Sequence, residues 1–304
     1  MTYERRNMSS IIITGFDGFL GSKITRKIIN DTSFDVIGLT LSHDYANRML
    51  TRENLLDESR IRVMKNDEFL CAEELPADIY GAVHLAFSRR MSPAADIASS
   101  IDFAASVFHA LKRNNIDRII NMSSQGVYGN TSEIRTEETV PAPATQYTMA
   151  KYAAEVLFED ILKDCSHHTS FRLDPVAQSQ NVILGLCKSA REGSIQLKGG
   201  KQVFSFIDAD DVPSAVISML SCSGDWERVY NVGWNRRRYS LIDIAELIAD
   251  VAQEKGYPKP SINLVEDDTA LWAGMDSSLF SKATGWHPTV SLRESIRSVF
   301  TIIE

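Results

Sequence analysis

Tyr147 and Lys151, in the segment QYTMAK (146–151), stand four residues apart and share one face if that segment is helical. Tyr147 follows Ser124, in NMSSQGVYG (121–129), by 23 residues. A free phenol titrates at about 10 and is a poor base near neutrality. An adjacent ammonium favours the phenolate and brings it toward the working range. Tyr147 could then take a proton from a substrate hydroxyl or return one to a carbonyl. Ser124 would bond the same oxygen and hold it in line. Alone, a Tyr-Lys pair at this spacing is a common surface feature, so its weight depends on what stands upstream.

Upstream is IIITGFDGFLG (11–21), three glycines at Gly15, Gly18 and Gly21 directly behind an isoleucine run. The run reads as a strand and the residues after it as a helix, the setting in which such glycines cradle a pyrophosphate. Gly15 makes the tight turn, Gly18 admits the phosphates to the backbone, and Gly21 lets the helix pack close. The first-turn amides, with Phe16, Phe19 and Leu20 beside them, then face the anion. A dinucleotide with an oxidised nicotinamide would further favour the Tyr147 phenolate and accept hydride from the same carbon. Asp17 is out of place in a phosphate loop, and the expectation is that it caps the turn or faces solvent. An acid at the end of the second strand would favour NAD and a nearby arginine NADP. Thr40 and Leu41 stand there, with Ser42, His43 and Arg48 beyond, so the choice between NAD and NADP stays open.

The elements that must carry these residues alternate. Strands are predicted at 10–14, 35–41, 62–64, 81–87 and 117–124, and helices at 21–30 and across DIASSIDFAASVFHALKRNN, where Ile97, Ile101, Ala104, Ala105, Phe108 and Leu111 recur at helical intervals. Strand then helix, repeated, gives a doubly wound parallel sheet of α/β class, the Rossmann architecture. After about residue 174 the pattern loosens into a loop-like DPVAQSQN and a turn-rich LKGGKQ. VFSFID and RVYNVG (228–233) read as strands returning to the sheet, with the helix DVPSAVISMLS between them. SLIDIAELIADVAQEKG (240–256) reads as an amphipathic helix capped by Ser240 and stopped by Gly256. The expected division is a dinucleotide-binding domain of residues 9–174 plus about 203–233, and a smaller substrate-binding lobe of about 175–202 plus 234–304.

The glycine spacing, with Thr14 before it and Phe19 inside it, resembles the extended short-chain dehydrogenase/reductase family, the NAD-dependent epimerase/dehydratase group. The resemblance runs over nearly the whole chain, through FRLDPV (171–176), VFSFIDADDVPSAV, VYNVG and MDSSLFSKATGWHPTVSLRESI (275–296). It implies a Ser124, Tyr147, Lys151 site, with Ser124 chosen over Ser123 by the VYG anchor and Lys151 also holding the nicotinamide ribose. It implies an adenine contact at Asp67, although a solvated loop acid fits that position equally. It places HLAF (84–87), with Leu85 and Ala86, beneath the cofactor, where His84 reads as a core residue. Substrate contacts are expected at Ser88, Gln125, Asn181, Arg191 and Phe204. Sugar dehydratases of the group carry an acidic pair after the serine. Gln125 and Gly126 stand there, which disfavours dehydration and leaves an epimerase or a reductase. The substrate class implied is a small molecule, a nucleotide-sugar first. Phe204 departs from that, because an arginine that pairs with the diphosphate usually occupies its place and an aromatic ring cannot replace a bidentate guanidinium. Lys198, Lys201, Arg191 or the NRRRY cluster (235–239) could supply charge instead. A reductase of a small carbonyl compound and a non-catalytic redox sensor are the alternatives.

A net charge of −8 argues against nucleic acid as the main partner. Four scattered cysteines without CxxC pairing suggest neither a zinc site nor a disulfide framework, and no apolar run approaches a membrane span. MTYERRNMSS lacks the apolar core of a signal peptide, and a cytoplasmic protein is expected. Ala153, Ala154, Leu157, Phe158, Ile161 and Leu162 form a broad apolar face on the helix carrying Tyr147; packing on the chain's own sheet accounts for part of it, and the resemblance implies a homodimer interface for the rest.

Overall fold

The computed structural model describes residues 9–76 and 78–303. The leading segment read as lacking a signal-peptide core therefore lies, through residue 8, outside the described residues. In chain order the first part runs β1 (Ser10–Thr14), α1 (Phe19–Asp31), β2 (Asp35–Thr40), α2 (His43–Arg52), β3 (Ile61–Lys65), α3 (Asn66–Cys71), β4 (Ile79–His84), α4 (Ala94–Arg113), β5 (Arg118–Met122), α5 (Gln146–Leu162) and β6 (His167–Leu173). It continues through α6 (Asn181–Arg191), β7 (Ser194–Lys198), β8 (Val203–Phe204), α7 (Asp211–Leu220), β9 (Val229–Val232), β10 (Tyr239–Ser240), α8 (Leu241–Glu254), β11 (Ser261–Val265), α9 (Ser278–Thr284) and α10 (Leu292–Ile303).

Seven strands form one sheet in the order β3-β2-β1-β4-β5-β6-β9. Pairing is parallel from β3 through β6, with Ile12 opposite Ile37 on one side and Ala82 on the other. Both neighbours of β1 are parallel strands, so the carboxyl ends of β1, β2 and β4 meet at one edge, where a doubly wound sheet binds its ligand. The order reverses between β1 and β4.

The chain divides into two compact units. The first takes the residues up to Ser123, then Pro143–Phe171 and Val212–Tyr230. Its core joins Ile12, Ile37, Leu39, Ala82 and Ile119 of the sheet to Ala104, Val107, Phe108 and Leu111 of α4 and Ala154, Phe158, Ile161 and Leu162 of α5. That core takes the share of the α5 apolar face expected to pack on the chain's own sheet. Four of the face's six residues are buried inside the unit, and Leu157 packs against them.

The second unit takes Ser124–Ala142, Arg172–Asp211 and the chain from Asn231 onward. Here the expected return of VFSFID to the main sheet is wrong. Only Val203 and Phe204 are strand, and they pair antiparallel with Ser240 and Tyr239. Ile207 makes an isolated bridge to Val176, and Ser205 turns inward to Asp174. VYNVG does return, as β9 beside β6. The loop-like stretch after residue 174 gives way to α6, whose Ile183, Leu186, Cys187 and Ala190 face Ile244, Ile248 and Val251 of α8 and Ile296, Val299 and Phe300 of α10 in a second core. Ser240 caps α8 as expected, accepting from the Asp243 amide at 3.1 Å while Asp243 accepts from the Ser240 amide at 2.8 Å.

Candidate active site

In the first unit the glycine turn is built as its spacing predicts. Gly15 has φ +64°, and a Cβ there would stand 3.0 Å from Ala86 Cα. A Cβ on Gly21 would run into the Gly15 carbonyl and lie 2.6 Å from Phe16 Cα, so the helix approaches the loop more closely than any side chain allows. Gly18 caps α1, its amide bonded to Gly15 O at 3.0 Å, and no acid lies in the first turn of the helix. This bare helix start behind a cradle that a Cβ would fill fits a dinucleotide pyrophosphate.

The flanking side chains divide. Phe16 is wholly buried, its ring filling the space a Cβ on Gly38 would need, so its side chain belongs to the core. Phe19 is 40 % exposed at the first position of α1, and Leu20 is half-buried. Thr14 fastens the turn. Its Oγ accepts from the Leu85 and Ala86 amides at 3.1 Å each, which leaves its proton for His84 Nδ1 at 2.9 Å. His84 therefore carries its proton on Nε2. Burial first, and the Lys151 charge second, push its pKa down to about 3, so it stays neutral and holds β4 to β1.

Asp17 neither caps the turn nor turns to solvent. It accepts from Thr40 Oγ1 at 2.6 Å, across to the end of β2. Ser42 caps α2, accepting from the Asp44 amide at 3.2 Å. Asp67 is exposed in the first turn of α3 and accepts from the Glu68 amide at 2.9 Å. Ser88 is committed to the start of α4, donating to Asp96 O and accepting from Ser100 Oγ, both at 2.9 Å.

Thr145 and Thr148 bracket the start of α5 in a reciprocal cap, which puts Tyr147 in the first turn and Lys151 one turn on. Both touch Phe87. The Tyr147 ring meets it edge-on at 6.1 Å, and Lys151 Nζ lies 4.0 Å from its centroid. Lys151 Nζ also donates to Met122 O at 2.7 Å, tying α5 to the end of β5, where Ser123 Oγ donates to Glu155. Burial lowers the Lys151 pKa to about 7, against the opposing charge of Glu155. Tyr147 is raised to about 12 by burial, and Arg90 is the cation that opposes it. The expected depression of Tyr147 by Lys151 is thus not what this structure shows.

Ser124 belongs to the second unit, where its Oγ accepts from the Gly126 amide at 3.1 Å and starts a short 3₁₀ turn, Gln125–Tyr128. Gln125 is held at both ends of its amide, donating to Ser205 Oγ at 3.2 Å and accepting from the Gly274 amide at 3.3 Å. Ser205 in turn donates to Asp174 Oδ1 at 2.8 Å. Nothing in the residue pattern announced this chain, although an acid directly after a strand, in FRLDP, was the available signal. Gly233 is its counterpart, since a Cβ there would lie 2.5 Å from Asp174 Cγ.

Burial drives the Asp174 pKa up to about 7, with Ser205, the Trp234 amide and Arg135 pulling the other way. The folded carboxyl therefore holds its proton where the unfolded one, near 3.8, does not. Folding stability falls as pH climbs from about 4 through 7 and the penalty is constant above. Asp174→Asn is expected to gain melting temperature relative to the native chain between pH 5 and pH 8. A difference that does not change across those melts would contradict the buried acid.

The remaining substrate candidates are scattered. Asn181 is the exposed first residue of α6. Arg191 donates to Ile303 O and lies 5.6 Å from the Tyr257 ring, which makes it a brace between α6 and α10 and not a free charge. Phe204 stacks on Phe206 at 5.9 Å. In the NRRRY cluster Arg236 pairs with Asp276 at 2.6 Å, Arg238 donates to Ser132 O and Glu133 O, and Arg237 lies on the Trp234 ring at 4.8 Å. Lys198 and Lys201 are exposed. Among the described residues no group of His, Cys, Asp and Glu is arranged to hold a metal, and no helix is long and apolar enough to cross a membrane.

Comparison with known proteins agrees with this architecture. The model of the NAD dependent epimerase/dehydratase family matches residues 11–233. dTDP-glucose 4,6-dehydratase 1 of Escherichia coli is 26 % identical, the match covering 94 % of this chain and 90 % of that one. GDP-6-deoxy-D-mannose reductase of Pseudomonas aeruginosa is 22 % identical over 69 % of this chain and 73 % of its own. The crystal structure of UDP-glucuronic acid 4-epimerase from Bacillus cereus, in complex with UDP-glucuronic acid and NAD, superposes with a TM-score of 0.80 at 20 % identity, covering 97 % and 98 % of the two chains.

Proposed function

The chain belongs to the NAD dependent epimerase/dehydratase family, and on that premise we propose that it is an epimerase or reductase transferring hydride at a hydroxyl or ketone of a nucleotide-sugar. The observation that carries the choice against dehydration is Gln125. Expelling water beside a ketone needs a group that protonates the departing hydroxyl, and a carboxamide has no proton to lose near neutrality. The Gln125 amide is moreover committed to Ser205 and Gly274.

In this reading a bound dinucleotide supplies or accepts the hydride. Tyr147 gives its phenolic proton to the ketone oxygen as the carbon is reduced, and retrieves it from the hydroxyl in the reverse direction. Ser124 holds the same oxygen in line. Arg90, the cation that opposes the raised Tyr147 pKa, supports the phenolate left on Tyr147, and Lys151 holds the nicotinamide ribose. Gly15, Gly18 and Gly21 receive the pyrophosphate. Cytoplasmic residence belongs to the reading as an expectation from the leading segment and the lack of a membrane-length apolar run, and a homodimer as one carried by the resemblance; Met149 and Val156 are the large apolar side chains that α5 leaves exposed. One observation favours a second reading, a reductase of a small carbonyl compound. Phe204 stacks on Phe206 and packs against the core of the second unit, at the position where the family's nucleotide-sugar enzymes usually carry an arginine for the diphosphate.

The test is to denature the purified protein, identify the released nucleotide, and incubate fresh protein with UDP- and dTDP-sugars, and separately with their 4-keto forms plus reduced NAD or NADP, reading products by NMR. A 4-epimer formed without net cofactor consumption supports the epimerase. Stoichiometric loss of reduced cofactor supports the reductase. Loss of water from the sugar would overturn the argument from Gln125.

A further inference from the structure

We infer that Asp17 is the residue that reads the adenosine ribose of the dinucleotide and makes the chain selective for NAD(H) over NADP(H). The inference rests on the dinucleotide-binding part of the reading above and extends it to a choice the strand residues leave open.

Selection in this architecture is made by a carboxylate at the end of the second strand, which accepts hydrogen bonds from the ribose hydroxyls and repels a 2′-phosphate. β2 ends without one. Thr40 is 1 % exposed and Leu41, 78 % exposed, has no polar atom to offer. The structure nevertheless brings a carboxylate there. Asp17, between the first two glycines of the cradle, reaches the end of β2 and accepts from Thr40 Oγ1 at 2.6 Å.

The bond fixes the position of the acid. Thr40 Oγ1 accepts from the Ser42 amide at 3.1 Å, and its single proton has two candidate acceptors, Asp17 Oδ2 at 2.6 Å and Ser42 O at 2.9 Å. The shorter, charge-assisted contact takes it. Among the described residues Thr40 is the hydrogen-bond partner of the Asp17 side chain, which keeps an acceptor oxygen for a ribose hydroxyl. Asp17 is half-buried, so the acid is partly desolvated and its charge less screened than on an open surface. Arg48 of α2, the arginine that sequence reading weighed for a 2′-phosphate, lies over the Tyr45 ring with its guanidinium 4.7 Å from the centroid.

The test measures binding, not turnover. Protein stripped of nucleotide is titrated by calorimetry with NAD+ and NADP+, then with AMP and adenosine 2′,5′-bisphosphate, which report the adenosine end alone. The native chain is expected to prefer NAD+ and AMP by roughly ten- to hundredfold, the range of a hydrogen bond to a charged group. Asp17→Asn keeps the shape and an acceptor for Thr40 but removes the charge, and should erase most of that preference by raising affinity for the phosphorylated ligands. Asp17→Ser should lose NAD+ affinity as well. A native chain that binds NADP+ as tightly as NAD+, or an Asp17→Asn protein with an unchanged ratio, overturns the assignment and leaves the dinucleotide reading standing. Failure of the folded native chain to bind any of the four ligands would instead sink that reading, and the inference with it.

Discussion

Replacing Tyr147 by phenylalanine is expected to lower turnover roughly a thousandfold while leaving dinucleotide affinity within a factor of about two, the signature of a lost proton transfer. The substitution removes one oxygen and keeps the ring. The edge-on contact with Phe87 survives it, as does the Thr145 and Thr148 cap that sets the start of α5. Lys151 keeps its bond to Met122 O and the glycine cradle is untouched. Because burial has already raised the phenol to about 12, the chemistry at stake in the reductive direction is donation, and phenylalanine has nothing to donate. Single-turnover kinetics with the substrate found above, beside calorimetric titration of the cofactor, separates the two quantities. Undiminished turnover removes Tyr147 from the catalytic assignment. Lost turnover together with lost cofactor binding would point to a collapsed loop and not to proton transfer.

The second large effect is expected at Gly21. In an ordinary helix glycine is worse than alanine by up to about 1 kcal/mol, so Gly21→Ala judged by propensity alone should stabilise the protein. Sterics reverse the sign. The added methyl would overlap the Gly15 carbonyl and sit 2.6 Å from Phe16 Cα, both backbone atoms that no rotamer change can move aside. Relieving it means lifting α1 from the turn, at a cost of about 1–3 kcal/mol or more, and re-aiming the amides meant for the pyrophosphate. Urea denaturation should show the loss, and dinucleotide binding should fall with it. Gly185 of α6 is the control, since a Cβ there meets no atom within 4 Å. Gly185→Ala should be neutral or stabilising. Equal effects at the two sites would mean that the close approach at Gly21 matters less than the geometry says.

Much of this was legible because it is local. The isoleucine run of β1, the glycine spacing, the period of α4 and the Ser240 cap are each set by residues within a turn or two of one another. What failed was what depends on a distant partner. Asp17 could not be understood without Thr40, 23 positions away, and nothing near Phe16 in the sequence says that its ring fills the space beside Gly38. VFSFID has the composition of a sheet strand, but pairing is a property of two segments, and its partner is the two-residue β10. The apolar face of α5 was legible as apolar. How much of it the chain's own core takes was not, since a core and an interface ask for the same side chains. Gln125 lay between these cases: its identity argued against dehydration from the start, whereas its tether through Ser205 to a buried acid needed coordinates.

The interleaving of the two units has a consequence for how the protein is made. The first unit takes its last segment, Val212–Tyr230, after a long excursion of the chain into the second. On the ribosome the nascent chain therefore displays β6 as an open sheet edge until β9 has been synthesised, a template for pairing with neighbouring chains. Neither unit can be excised as a continuous stretch of sequence, and early termination between the two strands leaves a fragment with that edge permanently bare.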